Sequence, residues 1–277
     1  MYTGAFSEEN RNNGRVSLTL LGAAIAAGIF CLTKKKCEKA RKEGRHIPYG
    51  PYEAIFKRPL DILFSSMALF TLSPVLGITA LIVRFGLGTP VLFAQQRPGK
   101  DERLFTMYKF RTMTDERNAD GNLLPDDMRL SGLGRLLRST SLDELPELFN
   151  IVKGDMSIIG PRPLLVEYLP HYTQNERHRH DVRPGLSGMA QVHGRNTISW
   201  EDKFGWDLKY VNKITFLGDM KILAETVYKT LRRDDIRVGR QHVVGRLDIE
   251  RQRINGEAGN EKNTGKEIIF GNQIGLF

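Results

Sequence analysis

Two long apolar runs stand out against an otherwise polar, charge-rich chain. Val16 to Thr33 contains no charged residue. As an α-helix it would be roughly 27 Å long, just enough to cross a bilayer. Arg11 and Arg15 precede it, and Lys34, Lys35, Lys36, Lys39, Arg41, Lys42 and Arg45 follow. The positive-inside rule therefore places its C-terminal side in the cytoplasm. Ala24-Ile25-Ala26 also fits the small-residue pattern of a signal cleavage site. Cleavage would export everything downstream, so we read the run as an anchor. Ile62 to Val83 is the second run, with Ser73-Pro74 at its middle. Pro74 removes one backbone donor and its ring crowds the carbonyl of Phe70, while Ser73 can bond back to a freed carbonyl. A kinked span and a re-entrant helix that enters and leaves on one face both fit. Proline is common in membrane helices, which favours the span. The flanking charges favour the other: Lys57 and Arg58 lie before the run, and Arg84, Arg97, Lys100 and Arg103 after it.

Elsewhere the pattern is that of a small mixed domain. Residues 34–50 form a basic interfacial linker, where each cation near anionic lipid contributes about 1 kcal/mol. Pro90 to Gln95 predicts a strand ending in a turn at Gln96-Arg97-Pro98-Gly99, and the alternation from Leu104 to Met113 predicts its partner. Asp115 to Asp127 is a polar loop. Helices are predicted over Gly132 to Arg138 and Leu142 to Val152, with helical turns over 164–180 and a turn-rich loop from Arg183 to Gly188. Met220, Leu223, Ala224, Val227, Tyr228 and Leu231 form a helical stripe that suits either the core or a membrane surface. Residues 237–277 are polar with no sustained period, a tail of undefined order.

Length and charge narrow the partners. The 277 residues allow one core of about 180 residues with appendages. The formal charge of +9 favours acidic ligands: phosphorylated molecules, anionic lipid or nucleic acid. Cys31 and Cys37 are the only cysteines, so neither a disulfide framework nor a zinc site is indicated. No groove-reading helix or base-stacking platform emerges, which argues against nucleic acid.

The densest chemistry lies between Ser139 and Pro163. Asp143 and Glu144 are adjacent acids, and Arg162 sits between Pro161 and Pro163 on a stiff backbone. A carboxylate can attack phosphorus or hold a metal, and a guanidinium can hold phosphate oxygens. Ser141-x-x-Glu144 is equally a helix capping box, with Ser141 as N-cap. A carboxylate in the first turn of that helix would keep a low pKa. Lys109, Arg111 and Arg138 are further candidate cations, Arg111 the least easily read as a solvated charge. His178 and His180 lack partners at metal-ligand spacing and read as surface residues. There is no nucleotide-binding glycine loop and no H-E-x-x-H zinc pattern.

The chain resembles the bacterial sugar transferases known as monotopic phosphoglycosyl transferases, from about Lys57 to Ile236. The resemblance rests on Lys57-Arg58-x-x-Asp61, Ser73-Pro74, Gln95-x-Arg97-x-Gly99, Tyr108 to Met113, Arg138-x-Thr140 to Pro146, Gly154 to Ser157, Gly160 to Pro163, Arg183-Pro184-Gly185 and Ala190-Gln191-Val192-x-Gly194-Arg195. It implies an α+β, helix-rich, membrane-associated fold, with a re-entrant helix over 59–84 broken at Ser73-Pro74 and a cytoplasmic catalytic domain at the cell membrane. It implies a UDP-sugar and polyprenyl phosphate as substrates, Mg²⁺ as cofactor, and UMP with polyprenyl-diphosphate-sugar as products. Asp143 would be the nucleophile, Glu144 would handle metal or proton, and both could bind the metal. Arg138 and Arg162, with Lys109 and Arg111, would meet phosphates, and Arg183, Gln191 and Arg195 are weaker substrate contacts. Met189, Lys213 and Thr215 depart from common family residues.

The resulting division is an arm over 1–15, an anchor over 16–33, a basic linker over 34–56, the transferase domain over 57–236 and a tail over 237–277. Two other readings stay in view. One is an inactive membrane scaffold of a glycan assembly complex. The other is a hydroxyl-directed glycosyltransferase, which would release UDP and usually carries an Asp-x-Asp motif that cannot be placed here. No oligomer is predicted.

Overall fold

The computed structural model describes residues 5–194, 198–232 and 245–253. Helix α1 (Ala5–Lys42) contains the first apolar run and continues through the basic residues Lys34 to Lys42, so the linker begins as helix. The described side chains of its apolar part, Leu21, Ile25, Phe30 and Leu32, are exposed. A π-helical turn at Tyr52–Phe56 then runs directly into α2 (Lys57–Gly86). Together these 35 residues form one helix long and apolar enough to cross a membrane. Phe70 and Phe85 are each 84 % exposed, and Phe64, Met67 and Leu81 also face outward. Such a face suits lipid and not water.

The expected break at Ser73-Pro74 takes a milder form. Helical structure is continuous across Pro74. The Ser73 hydroxyl donates to the Phe70 carbonyl at 2.8 Å. That is the acceptor four residues before Pro74, whose ring nitrogen carries no hydrogen. The serine thus supplies the bond the proline cannot, which lets the helix pass through.

Strands β1 (Leu92–Pro98) and β2 (Leu104–Phe110) pair antiparallel, with Leu92 opposite Phe110 and Pro98 opposite Leu104. The first strand therefore runs through Gln96-Arg97-Pro98, where a turn was expected. Pro98 is tolerated because it ends the strand. The polar loop leads to the short α3 (Asp126–Arg129) and then α4 (Gly132–Ser139), where Ser131 Oγ accepts from the Gly134 amide at 2.9 Å.

The helix expected over Leu142 to Val152 is divided. A 3₁₀ turn occupies Leu142–Glu144, and α5 (Glu147–Lys153) starts after Pro146. Proline fits there because it fixes φ for a helix start and its missing donor would be unpaired anyway. Strand β3 (Ser157–Ile159) pairs in parallel with β4 (Gly185–Ser187), which lies inside the segment expected to be loop. Only glycine permits this contact: a Cβ on Gly185 would lie 2.1 Å from the Gly160 nitrogen. Between these strands come 3₁₀ turns at Val166–His171 and His178–His180 around α6 (Gln174–Arg177). His180 is buried, against the surface reading. The chain continues through α7 (Met189–Val192), α8 (Trp200–Asn212) and α9 (Phe216–Arg232).

Two of the core clusters form away from α2, around Tyr210 and around Phe204, and two others pack along that helix. Val83 packs with Phe110 and Leu137 near its C-terminus. Ala68 and Leu69 pack on Phe105, Leu148, Ile151 and Met156 further back. Polar contacts fix its N-terminal end. Arg58 donates to the Ile151 and Val152 carbonyls at 2.7 and 3.1 Å, satisfying the open end of α5. Asp61 accepts from Ser157 Oγ at 2.7 Å. Asp219 on α9 accepts from Lys57, Tyr52 and Tyr210 at 2.6, 2.7 and 2.9 Å. Helix α9 turns Asp219 and Ile222 inward and leaves Leu223, Val227 and Tyr228 exposed, so most of its apolar stripe does not face the core. Part of the tail is ordered: 247–253 is helical, and Leu247 is buried against Trp200 and Phe204.

Candidate active site

An open cleft of about 1180 Å³ lies between the β1–β2 hairpin, the 3₁₀ turn at Leu142–Glu144 and the start of α8. Eight Arg and Lys line it against five Asp and Glu, so it favours an anionic ligand. Its size is slightly above the ~300–1,000 Å³ of common ligand pockets, which suits a long phosphorylated molecule.

Asp143 is at the wall of this cleft, only 8 % exposed. Burial, then the neighbouring Glu144, pushes its carboxyl above the ordinary value, while Lys109 and Arg138 pull it back. The first-turn capping arrangement that would have kept it low is not formed. Ser141 is left-handed, at φ 55, and its side chain caps nothing. An N-cap needs extended backbone. Glu144 is held from another direction. Its Oε1 accepts from Lys109 Nζ at 2.7 Å and from Arg162 Nη2 at 2.9 Å. Burial would raise its pKa, but Arg162 and Lys109 together outweigh that and hold it well below the usual range.

A third carboxylate was not anticipated. Glu147, the first residue of α5, is 3 % exposed, and its Oε1 lies 3.0 Å from Lys109 Nζ. This contact is charge to charge without hydrogen-bond alignment, so that oxygen has no hydrogen-bond partner among the described residues. Burial pushes this carboxyl up, partly offset by Lys109. Its spacing of three residues from Glu144 was the available signal, but reading it needed the knowledge that Lys109 lies between them.

The cations divide by how free they are. Arg138 Nε donates to Thr112 Oγ1 at 3.1 Å and makes no ion pair among the described residues, so most of its guanidinium is open to a ligand. Arg162 faces the cleft, and its backbone carbonyl accepts from Arg179, which is itself buried against Asp207 at 2.8 Å. Two prolines and this bond fix its position. Arg111 reaches the cleft already engaged, by the Met113 and Thr89 carbonyls and by Asp115 at 2.6 Å. Arg183 is not on the cleft wall; it donates to the Gly154 carbonyl at 2.8 Å and holds the loop before β4. Gln191 lines the cleft, with Nε2 on the Leu186 carbonyl and Oε1 buried without a hydrogen bond. Arg195 lies outside the described residues.

Among the described residues no three His, Cys, Asp or Glu side chains form a metal cage. Mg²⁺ seldom needs one, being held by one or two carboxylates with substrate phosphates and water. Asp143 makes no ion pair among the described residues and Glu144 adjoins it, so the donor set fits that mode.

Residues 52–233 match the family model of bacterial sugar transferases. The chain is 52 % identical over 177 residues to an uncharacterized sugar transferase, EpsL, of Bacillus subtilis, covering 64 % of this chain and 88 % of that protein. It is 38 % identical over 192 residues to a UDP-glucose:undecaprenyl-phosphate glucose-1-phosphate transferase of Klebsiella pneumoniae, covering 66 % of this chain and 41 % of that one. It is 35 % identical over 196 residues to the exopolysaccharide production protein ExoY of Sinorhizobium fredii, covering 64 % and 86 %. The match thus spans most of the shorter relatives and about two fifths of the longer transferase.

Proposed function

The chain belongs to the bacterial sugar transferase family, and from that premise we propose that it moves a sugar-1-phosphate from a UDP-sugar to polyprenyl phosphate. The products are polyprenyl-diphosphate-sugar and UMP, the first lipid-linked unit of an exopolysaccharide or related glycan. The observation that carries this reading is the setting of Asp143. It is a desolvated carboxylate without an ion pair among the described residues, on the wall of a cationic cleft, next to Arg138, Arg162 and Lys109.

In this reading the Asp143 carboxylate attacks the phosphorus that carries the sugar. The bond to the UMP oxygen breaks and UMP leaves with the electron pair. An oxygen of polyprenyl phosphate then attacks the same phosphorus, the diphosphate forms, and the Asp143 carboxylate is released. Burial favours the first step, because a poorly solvated carboxylate loses little hydration on attack. Arg138 and Arg162 offset charge on the equatorial and leaving oxygens. Glu144, already paired to Lys109 and Arg162, keeps those cations in place while the ligand changes. Mg²⁺ would be held by Asp143, Glu144 and substrate phosphate oxygens and would supply further charge neutralisation.

The membrane setting follows the same logic. A greasy acceptor must bring its phosphate to the cleft at headgroup level. Both ends of α2 are bound to one domain, through Arg58 and Asp61 at one end and Val83 at the other. That supports an α2 that lies in one leaflet, entering and leaving on the cytoplasmic side, with Val16 to Thr33 as a separate anchor. The sign of the flanking charges agrees.

The test is nucleotide release by the detergent-purified full chain with Mg²⁺, undecaprenyl phosphate and a panel of UDP-sugars. UMP should be released with one donor, with a sugar-phosphate adduct on the wild type and none on Asp143→Asn. Release of UDP, or undiminished turnover in the variant, would overturn the assignment. Turnover-independent function in the variant would favour the scaffold.

A further inference from the structure

A side pocket of about 90 Å³ opens beside the main cleft, walled by Arg97, Lys109, Glu147, Arg162 and the Pro163-Leu164 segment. It exceeds the ~30 Å³ that one water occupies in the liquid, so a tetrahedral oxyanion has room there. Lys109 and Arg162 are both committed to Glu144, and Lys109 also to Glu147. Arg97 is not. It projects from β1, lines both the pocket and the main cleft, and makes no ion pair among the described residues. Its Nη2 donates to Gln95 Oε1 at 2.7 Å. Its Nε is buried and has no hydrogen-bond acceptor among the described residues. A buried charged donor left without an acceptor is costly. Burial, then the like charge of Arg162, lowers the affinity of Arg97 for its own proton, against the opposite pull of Glu147 and Glu167. Arg97 and Arg162 wall one pocket, and their like charges favour an anion there beside the Glu147 carboxyl that shares it.

We propose that Arg97 is a phosphate-binding residue, and that it and Arg162 together grip one phosphate group in the side pocket while Arg138 meets another on the Asp143 side. The site rests on the transferase reading only for the source of the phosphate, which is either the donor diphosphate or the lipid phosphate. Its chemistry, a phosphate oxyanion, is the same for both. Arg97 lies outside the Asp143–Glu144 pair, and among the described residues its side-chain hydrogen bond is to Gln95, so replacing it leaves the hydrogen bonds of Lys109 and Glu144 in place.

Binding of inorganic pyrophosphate to the wild type, Arg97→Gln and Arg97→Lys, measured by calorimetry, tests the site without turnover. Loss of one charge-assisted bond predicts about ten- to a hundredfold weaker binding for Arg97→Gln, with Arg97→Lys between it and the wild type. Equal affinity for all three, or no binding by the wild type, overturns the proposal. Should Arg97→Gln fold poorly, Arg97→Lys keeps the charge and must still lose affinity, because a single ammonium cannot replace the guanidinium fork. Steady-state kinetics then assigns the source. A raised KM for the UDP-sugar, with slower adduct formation in the absence of acceptor, identifies the donor. A raised KM for undecaprenyl phosphate with normal adduct formation identifies the lipid. Unchanged KM for both with a lowered kcat also overturns the proposal. A wild type that binds pyrophosphate yet turns over no UDP-sugar would sink the transferase reading and leave the phosphate site standing.

Discussion

Replacing Lys109 by Met tests whether the cleft depends on one lysine shared by two carboxylates. Lys109 Nζ lies 2.7 Å from Glu144 and 3.0 Å from Glu147, and the Glu147 side chain is 4 % exposed. Glu144 keeps Arg162 when the lysine is removed, so the uncompensated charge falls on Glu147. Breaking a buried pair by removing one partner costs ~3–5 kcal/mol. Glu147 can escape part of that by taking a proton, which its raised pKa makes easy, so about 2–3 kcal/mol is expected at neutral pH. For a unit of this size that corresponds to a fall in Tm of about 5–10 °C. Glu147→Gln alone should cost about 1 kcal/mol or less, because it removes a carboxylate that burial already disfavours. With Glu147→Gln in place, Lys109→Met should cost about 1.5 kcal/mol less than in the wild type. The assay is thermal unfolding of the four proteins in one detergent, followed by scanning fluorescence. Additivity within about 0.5 kcal/mol would refute the reasoning, since uncoupled sites add that closely.

Three other outcomes follow from single contacts. Glu147→Gln should flatten the pH dependence of stability: the folded wild type holds a proton that the unfolded chain gives up, so its stability falls as pH rises from the usual carboxylate value through the raised one. Matching slopes in Tm against pH would contradict this. His180 is buried against Tyr172, and burial, then Arg179, pushes its imidazole down to about 3. The unfolded chain takes up a proton below about 6.5, so the wild type should lose up to ~1.4 kcal/mol per pH unit from 6.5 towards 3. His180→Phe should lose visibly less between pH 6.5 and 5, and an equal loss would remove His180 as the cause. Ser73→Ala should cost about 1 kcal/mol in the wild type and almost nothing beside Pro74→Ala, which restores the Phe70 carbonyl's own donor; equal costs in both backgrounds would show that the hydroxyl bond does not serve the proline.

Much of the fold was legible because local pattern and final structure agree. The hairpin from Leu92 to Phe110, the helix after Ser131 and the helix over Phe216 to Arg232 each follow from their own periodicity. Two failures differ in cause. The helix expected across Asp143 is divided locally, by the left-handed Ser141 and by Pro146, which restarts it, whereas the loop expected at Gly185 was decided by distant backbone, since Gly160 and Gly185 approach closely enough to pair β3 with β4. The cations divide as well. Sequence could nominate Arg111 as a phosphate ligand and Arg183 as a weaker substrate contact, but not show that Asp115 and backbone carbonyls would engage the first and the Gly154 carbonyl the second. Arg97 is the reverse case, read from the sequence as a flanking charge, a turn residue and part of a family motif but not as a ligand, until β1 was seen to carry it to the cleft.

Asp143 and Glu144 differ because neighbouring side chains of the 3₁₀ turn point about a third of a turn apart. Two adjacent acids therefore meet different surroundings with no residue between them. Glu144 points to Lys109 and Arg162 and is held ionised. Asp143 points to the cleft, is buried without an ion pair among the described residues, and has its proton affinity raised. A regular α-helix with a capping box would have turned Glu144 back toward Ser141 and left the Lys109–Arg162 pair without its shared anchor. In the proposed reaction, the left-handed Ser141 and the proline after Leu145 set one carboxylate to organise the cations and leave the other to attack phosphorus.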